Sequence, residues 1–415
     1  MRETDVIIIG AGQAGLAMSR VLSQRGIDHR VLERGRVAER WRSERWDSLR
    51  LLTPNWCTRL PGWRYRGGDP DGFMTMPEVV RFFADYAHAF CAPVLTGVTV
   101  RAVRFEGTGW RVETDREIWA ARAVVIATGH CDRPRVPAMA GALPRGIRQL
   151  TPPEYRNARA LPEGGVLVVG ASASGVQLAA EIHASGRPVT LAVGRHIRLP
   201  RRYRGRDIIW WLDRTGLLDE RIDRVPDPDA ARAQPSLQLV GDPAGRALDL
   251  AVLARAGVRL VGRAQGVDGA RMRFAGDLAE TTAAAERKLT RLRARIDRFA
   301  ALSGLGAEVG PPDPDAPVLL DSRPQAIDLA AEGIRTLVWA TGYRRDYAWL
   351  RVPALGPDGE IVQRGGVTAW PGLYVLGLRF QRRRKSSFID GVGDDAMAIA
   401  PHLAAHLGAE CRVAV

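Results

Sequence analysis

Two stretches of this chain share one local grammar, and no other feature restricts its fold as tightly. Residues 5–15 read "DVIIIGAGQAG" and residues 166–175 read "VLVVGASASG". In each, a continuous apolar strand runs into a turn of small residues that opens a helix. Strands of that kind are buried on both faces, as in parallel sheets. The surroundings repeat too: the first turn continues as "LAMSRVLSQRG" and "HRVLER", the second as "VQLAAEIHASG" and "PVTLAVG". Strand, turn, helix and strand in that order, twice over, predict an α/β chain that holds two nucleotides.

The first turn is Gly10-x-Gly12-x-x-Gly15. Gly10 permits the tight turn, Gly12 lets backbone approach a pyrophosphate, and Gly15 lets helix and strand pack closely. Glu33 ends the next strand, 18 residues after Gly15, where a carboxylate accepts hydrogen bonds from ribose hydroxyls and repels a 2′-phosphate. The site is therefore expected to take FAD or NAD rather than NADP. Gln13 in the turn and Arg34 beside the acid complete this candidate set.

The second turn is Gly170-x-Ser172-x-x-Gly175, with Ser174 also in the turn. Glu33 lies 23 residues beyond Gly10; the same step from Gly170 reaches Val193, followed by Gly194 and Arg195. An acid is gone and a base is present. Arg195 is placed to meet a 2′-phosphate by a charge-assisted contact, with His196 and Arg198 as helpers, which favours NADPH over NADH. A solvated Arg195 in a site that tolerates either nucleotide is the alternative. One site refusing a 2′-phosphate and one inviting it imply FAD plus NADPH, and hydride transfer from nicotinamide to flavin.

The order of elements predicts two dinucleotide-binding (Rossmann-like) domains, the NADP domain inserted into a discontinuous FAD domain. The expected boundaries are residues 1–158 for the first part of the FAD domain and 159–318 for the NADP domain, with a helical insertion over about 205–310. Residues 319–415 complete the FAD domain, after a linker "GPPDPDAP" at 310–317. Helices are expected from Pro77 to about Phe90 and from near Asp394 through "DAMAIAPHLAAHL". Leu289, Leu292, Ile296, Phe299 and Leu302 form the packing stripe of another helix. Trp210 and Trp211 read as core rather than pocket lining.

Composition narrows the function classes. The net charge of +14 suggests nucleic acid, but 58 of the 60 basic residues are Arg and they are scattered, with no aromatic interleaving. Only "RRYRGR" at 201–206 and "RRRK" at 382–385 are runs; they read as solvated surface or a cofactor-phosphate rim. Cys57, Cys91, Cys131 and Cys411 contain no CxxC, so a dithiol redox pair is not available. Histidine spacing offers no metal site. No apolar run approaches membrane-spanning length, and the strand that begins within a few residues leaves no room for a secretory signal, so a cytoplasmic protein is expected.

These turns, together with "WRSERWDSLRLLTPNWCTRLPG" at 41–62, "ATG" at 127–129, "QLTPPEYRN" at 149–157 and "ATGYR" at 340–344, resemble the class B flavin monooxygenases. The likeness is to YUCCA-type enzymes and CzcO-like flavoproteins, over nearly the whole chain. It implies that Trp41 packs near the FAD ribityl or adenosine side and that Thr53, Pro54 and Asn55 approach the isoalloxazine ring. It also implies that Gly129 and Gly342 lie in interdomain linkers near the cofactors, and that Asp390 and Gly391 of "SSFIDGVGDDA" face the flavin pyrimidine edge. Thr53, Asn55 and Asp390 are thus flavin-proximal candidates, and no side chain stands out as a general base. One departure is clear: the family's Gly-x-x-x-His-x-x-x-aromatic fingerprint appears as "GIRQLTPPEYRN", with Thr151 in place of the His and the glycine one residue out of step.

The resemblance implies an NADPH-dependent, single-component flavoprotein monooxygenase. FAD reduced by NADPH would form a flavin C4a-(hydro)peroxide that oxygenates a small organic substrate. A flavin-dependent NAD(P)H reductase without productive oxygenation is the alternative that Thr151 favours, and a non-catalytic nucleotide-binding protein is a third. The expected partners are a small-molecule substrate and molecular oxygen; the substrate and any homo-oligomer are open.

Overall fold

A computed structural model describes residues 1–314, 317–318 and 324–408. Residues 315 and 316 of the expected linker, residue 319 at the expected domain boundary, and Cys411 lie outside the described residues.

Among the described residues, the apolar strands assemble two large sheets, beside smaller two- and three-stranded ones. The first has nine strands. At its centre, β1 (Arg2–Ile9) lies between β2 (His29–Glu33) and β6 (Ile118–Ile126), parallel to both. Outward from β2 comes β3 (Val94–Thr96). The hairpin of β4 (Val100–Glu106) and β5 (Gly109–Thr114) joins antiparallel to β6. The second sheet has five parallel strands, ordered β7 (Arg148–Leu150), β11 (Ile334–Trp339), β8 (Gly165–Val169), β9 (Val189–Ala192) and β10 (Arg259–Val261). Late in the chain β12 (Leu373–Val375) returns to pair with β6 in the first sheet.

The nested order follows expectation, but the strands cross the expected boundaries on both sides. β7 falls before residue 159 and β11 after 318, yet both belong to the second sheet. Within the expected helical insertion, β10 also extends that sheet. β7 and β10 are three residues long, too short for periodicity to separate from loop.

Helices cover the sheets. Helix α1 (Gln13–Gln24) and α5 (Ile389–His406) pack on one face of the first sheet with α2 (Met76–Ala89), sharing Val6, Ile8, Leu16, Phe83, Val392 and Ile399. α2 starts at a capping box, where Thr75 and Glu78 satisfy each other's backbone N–H groups. α3 (Ala173–Ala184) packs on the second sheet through Val176, Ala179 and Ile182. α4 (Leu278–Leu302) buries Leu289 and Ile296, with Leu292 and Phe299 half-buried. Leu302, expected in that stripe, is instead 82% exposed at the helix end. Trp211 is fully buried, whereas the Trp210 ring meets the guanidinium groups of Arg206 and Arg214, each 5.4 Å from its centroid. α5 starts at Ile389, five residues before the expected start, because the glycine-rich "DGVG" that reads as loop is already helical. Among the described residues, no helix is long and apolar enough to cross a membrane.

Candidate dinucleotide sites

The two turns have nearly the same shape. Gly10 and Gly170 both have φ +107°. Gly12 and Ser172 cap their helices at φ −85°, ψ −168° and φ −84°, ψ −169°. A Cβ on Gly15 would stand 1.8 Å from the Gly10 carbonyl, and one on Gly175 would stand 1.8 Å from that of Gly170. Both third glycines are therefore required by helix–strand packing alone. Neither helix has a side-chain cap, so the first N–H groups of each face outward, as an anion site requires. A Cβ on Gly12 would meet nothing within 4 Å. The chain itself does not need glycine there, and the open space suits a close-lying ligand.

Each turn also touches one of the two "ATG" segments. A Cβ on Gly10 would stand 2.7 Å from the Ala127 carbonyl, and on Gly170 2.4 Å from that of Ala340. These segments carry the chain between the sheets, with Gly129 at φ +77° and Gly342 at φ +88°, both open to their surroundings. The segments pair with each other through Pro134 and Tyr343.

The strand ends differ. Glu33 is half-buried; its oxygens accept the Ala11 N–H and the Gly35 N–H, both at 2.8 Å. Each oxygen retains a lone pair for a hydroxyl. Arg34 is exposed, 3.7 Å from Asp132. In the second unit Val193 is fully buried and Arg195 is exposed, with no ion pair among the described residues. The helpers expected beside Arg195 are committed elsewhere. Arg198 is buried against Asp249, at 2.8 Å, and Glu286. His196 is buried, with Nδ1 3.0 Å from the Gly194 carbonyl, and burial holds it below the usual histidine range.

Around the first turn, the Gln13 amide donates to the Ser387 carbonyl at 3.0 Å, and the Trp41 indole N–H reaches Gln13 at 3.3 Å. Trp41 stacks on Phe83 with ring centroids 6.3 Å apart. This brings the Trp41 segment and the uncapped start of α5 to the mouth of the first turn. Thr53 is half-buried and Pro54 buried. Asn55 does not offer a free amide, since it donates to the Asp69 carbonyl at 2.9 Å and accepts the Met74 N–H at 2.8 Å. It shapes the 69–74 loop instead. Asp390 is likewise paired, with Arg59 at 2.9 Å and Lys385 at 3.5 Å. Gly391 is required by packing, because a Cβ would stand 2.0 Å from the Lys385 carbonyl. For Asp390 and Gly391, this leaves the backbone at the α5 start as the part available to a ligand.

The departed fingerprint is a strut between the lobes. Thr151 Oγ1 donates to Glu154 at 2.6 Å, and the Thr151 N–H reaches the same carboxylate at 2.8 Å. Tyr155 is buried and donates to Glu181 of α3 at 2.8 Å. Arg156 donates to the Ser43 and Arg45 carbonyls, and Asn157 to Asp47 at 2.7 Å. Where the family pattern has a His, this chain has a hydroxyl that closes a local turn.

Sequence reasoning missed Gln13 as a hub, Ser387, and the Arg40–Asp132 pair that ties the Trp41 segment to the first crossover. Only the adjacency of "HCDRP" to the first "ATG" could have pointed there. Among the described residues, no group of three or more His, Cys, Asp or Glu side chains is gathered to hold a metal.

Comparison with known proteins bears on the family and the fold. Residues 7–205 match the family model described as pyridine nucleotide-disulphide oxidoreductase. An uncharacterized CzcO-like oxidoreductase of Geobacillus kaustophilus is 31% identical over 396 residues, 94% of this chain and 96% of that one. Indole-3-pyruvate monooxygenase YUCCA1 of Oryza sativa is 32% identical over 211 residues, 48% of this chain and 51% of that one. Among solved structures, a flavin-containing monooxygenase from Stenotrophomonas maltophilia is similar in fold, with TM-score 0.68 and 19% identity. It covers 98% of this chain and 99% of that one.

Proposed function

The chain belongs to the class B flavin monooxygenase family, in its CzcO-like branch, and on that premise we propose that it is an NADPH-dependent, single-component monooxygenase built on FAD. It is a flavin-dependent oxidoreductase that works with a pyridine nucleotide; the identity of both cofactors and the use of oxygen are the proposed part. The observation that carries the assignment is the contrast between Glu33 and Arg195 at the ends of otherwise matching units.

The residues present suit both cofactors. The N–H groups at the start of α1 and the open space at Gly12 would take the FAD pyrophosphate, with Glu33 accepting its ribose hydroxyls and repelling a 2′-phosphate. Gln13 and the start of α5 would line the flavin end. The start of α3 with Ser172 and Ser174 would take the second pyrophosphate, and Arg195 the 2′-phosphate. When bound, the flavin supplies hydride acceptance and oxygen activation toward a small organic substrate. The chain's own part is to hold the two rings in one geometry and to keep water out. The Tyr155–Glu181 and Arg156 contacts fix the second lobe against the Trp41 segment, which limits how the nicotinamide can approach.

The likeness to a rice indole-3-pyruvate monooxygenase supports oxygen insertion; Thr151 in place of the family His favours a reductase that releases its electrons unproductively. NADPH oxidation in air with a panel of small ketones, amines, sulfides and 2-oxo acids separates the two. Oxygenated product formed in proportion to NADPH consumed supports the proposal. Recovery of all the electrons as hydrogen peroxide with every substrate overturns it.

A further inference from the structure

Arg201 opens the basic run "RRYRGR", which reads as solvated surface, yet it is only 1% exposed. Its guanidinium joins three segments. One terminal nitrogen donates to the Leu52 carbonyl at 2.8 Å and to the Val240 carbonyl at 3.2 Å, and the other donates to Asp207 at 2.5 Å. The guanidinium carbon lies 4.9 Å from the centre of the Phe73 ring. Asp207 in turn accepts the Ile209 N–H at 2.8 Å and so caps the helix Ile208–Arg214. Apolar side chains of similar volume often hold a core as well as a buried ion pair does. Here Nε of Arg201 is also buried without an acceptor among the described residues, which costs stability. Stability therefore does not account for this arginine; the position of what it holds does.

What it holds leads in two directions. Toward the first lobe, Leu52 precedes Thr53 and Pro54. Asn55, on their other side, is fixed by the 69–74 loop that also carries Phe73. Thr53 and Pro54 thus lie between two pinned neighbours. Toward the second lobe, Val240 belongs to a stretch of four successive residues that are each tied. The buried Gln238 amide donates to the Ala171 carbonyl at 2.6 Å, inside the second turn. Gln177 of α3 donates to the Leu239 carbonyl at 2.7 Å. Val240 meets Arg201, and a Cβ on Gly241 would stand 2.1 Å from the Leu51 carbonyl. A continuous run of close contacts joins the second turn to the residue before Thr53.

We propose that Gln238 and Arg201 form a strut that sets Thr53 and Pro54 at a fixed distance from the second turn, and that both are positioning residues for electron transfer between the two cofactors. The proposal rests on the reading of Thr53 and Pro54 as flavin-facing. Neither strut side chain needs to touch a cofactor, because a displacement of about 1 Å between reacting groups costs about a hundredfold in rate.

Arg201→Met, Arg201→Lys, Gln238→Met and Gly241→Ala test it, the last acting as a wedge that removes no hydrogen bond. Flavin-loaded protein is reduced without oxygen by NADPH or NADH, whichever is faster in wild type, and the limiting rate is separated from the half-saturating concentration. The limiting rate should fall at least about tenfold in Arg201→Met, Gln238→Met and Gly241→Ala, with the half-saturating concentration within about threefold of wild type. Arg201→Lys, which keeps a charged donor, should recover part of the rate. A purely structural role would instead lower the yield of loaded protein and leave the loaded fraction reducing at the wild-type rate. Gln238→Met and Gly241→Ala lie on a different segment and remain informative should Arg201→Met not fold.

Amide hydrogen exchange over residues 50–56 of the purified full chain reads the strut without turnover. It should be at least about threefold faster in Gln238→Met, although Gln238 bonds to the second turn and not to that segment. Unchanged exchange there would overturn the strut. Faster exchange with an unchanged limiting rate would overturn the flavin-facing placement of Thr53 and Pro54. Wild type bleached by neither nucleotide would contradict the functional reading itself, and exchange would still decide the strut.

Discussion

The two turns differ less in their backbones than in what stands at the end of the strand that follows. The φ of Gly10 equals that of Gly170, the dihedrals of Gly12 and Ser172 agree within a degree, and the first and third glycines of each turn meet the same kinds of contact. At the end of β2 the chain places an acid that already ties down the turn, whereas beyond β9 it places an exposed Arg195 with no ion pair among the described residues. On the proposed reading, a shared fold makes two anion cradles, and one position per cradle decides which dinucleotide enters. The exchange of Gly12 for Ser172 is the smaller difference, since a Cβ at Gly12 would meet nothing within 4 Å and the two residues share their dihedrals.

Changing what the turns share should do the most harm. Gly15→Val or Gly175→Val puts a branched side chain where even a Cβ would lie 1.8 Å from backbone. The expected outcome is loss of folded, yellow protein in both, measured by expression and bound-flavin absorbance; survival of either would break the packing argument.

Changing what they do not share should be selective. Glu33→Ala removes the acceptor of two backbone N–H groups and should cost about 2 kcal/mol of stability, together with flavin affinity. Denaturant unfolding and flavin release on dilution check it, and NADPH affinity of the flavin-loaded fraction should change little. Arg195→Ala should keep stability within about 0.5 kcal/mol, as for other surface changes. It should also reduce the preference for NADPH over NADH by about tenfold or more, read from KM for each nucleotide.

The smallest effect is common to both regions. His29 at the start of β2 and His196 after β9 are each buried, and burial is the main cause that lowers each pKa below 6.5. His29 uses both ring nitrogens, toward Ser19 and the Ile27 carbonyl, each at 2.8 Å. With the folded pKa below the unfolded one, the unfolded chain binds more protons on acidification, so stability falls as pH drops below about 6.5. Thermal unfolding between pH 8 and 5.5 should show this decline, and replacing either His by Gln should flatten it.

Much of this comparison was legible in the sequence because each unit rests on local chemistry. Glycines at fixed spacing, an apolar strand before them and a charge at a fixed offset all lie within about thirty residues. What failed to show was non-local. β7 and β11 pair across nearly two hundred residues of chain, so nothing near Arg148 or Ile334 announced their sheet. The commitments of Asn55 and Asp390 were hidden for another reason: their partners, at Asp69, Met74, Arg59 and Lys385, come from segments too short or irregular to carry a periodic pattern. His196 and Arg198 looked free beside Arg195 because burial on the inner side of the second lobe leaves no mark in a three-residue motif.

The account stands on the second nucleotide delivering electrons to the first, and anaerobic reduction tests that most directly. Flavin-loaded protein is mixed with NADPH or with NADH in the absence of oxygen, and the flavin absorbance near 450 nm is followed. The account requires that NADPH bleach the flavin, with a second-order rate constant at least about tenfold above that of NADH, the margin expected of one charge-assisted phosphate contact. Equal rates for the two nucleotides, or no bleaching by either, would contradict it.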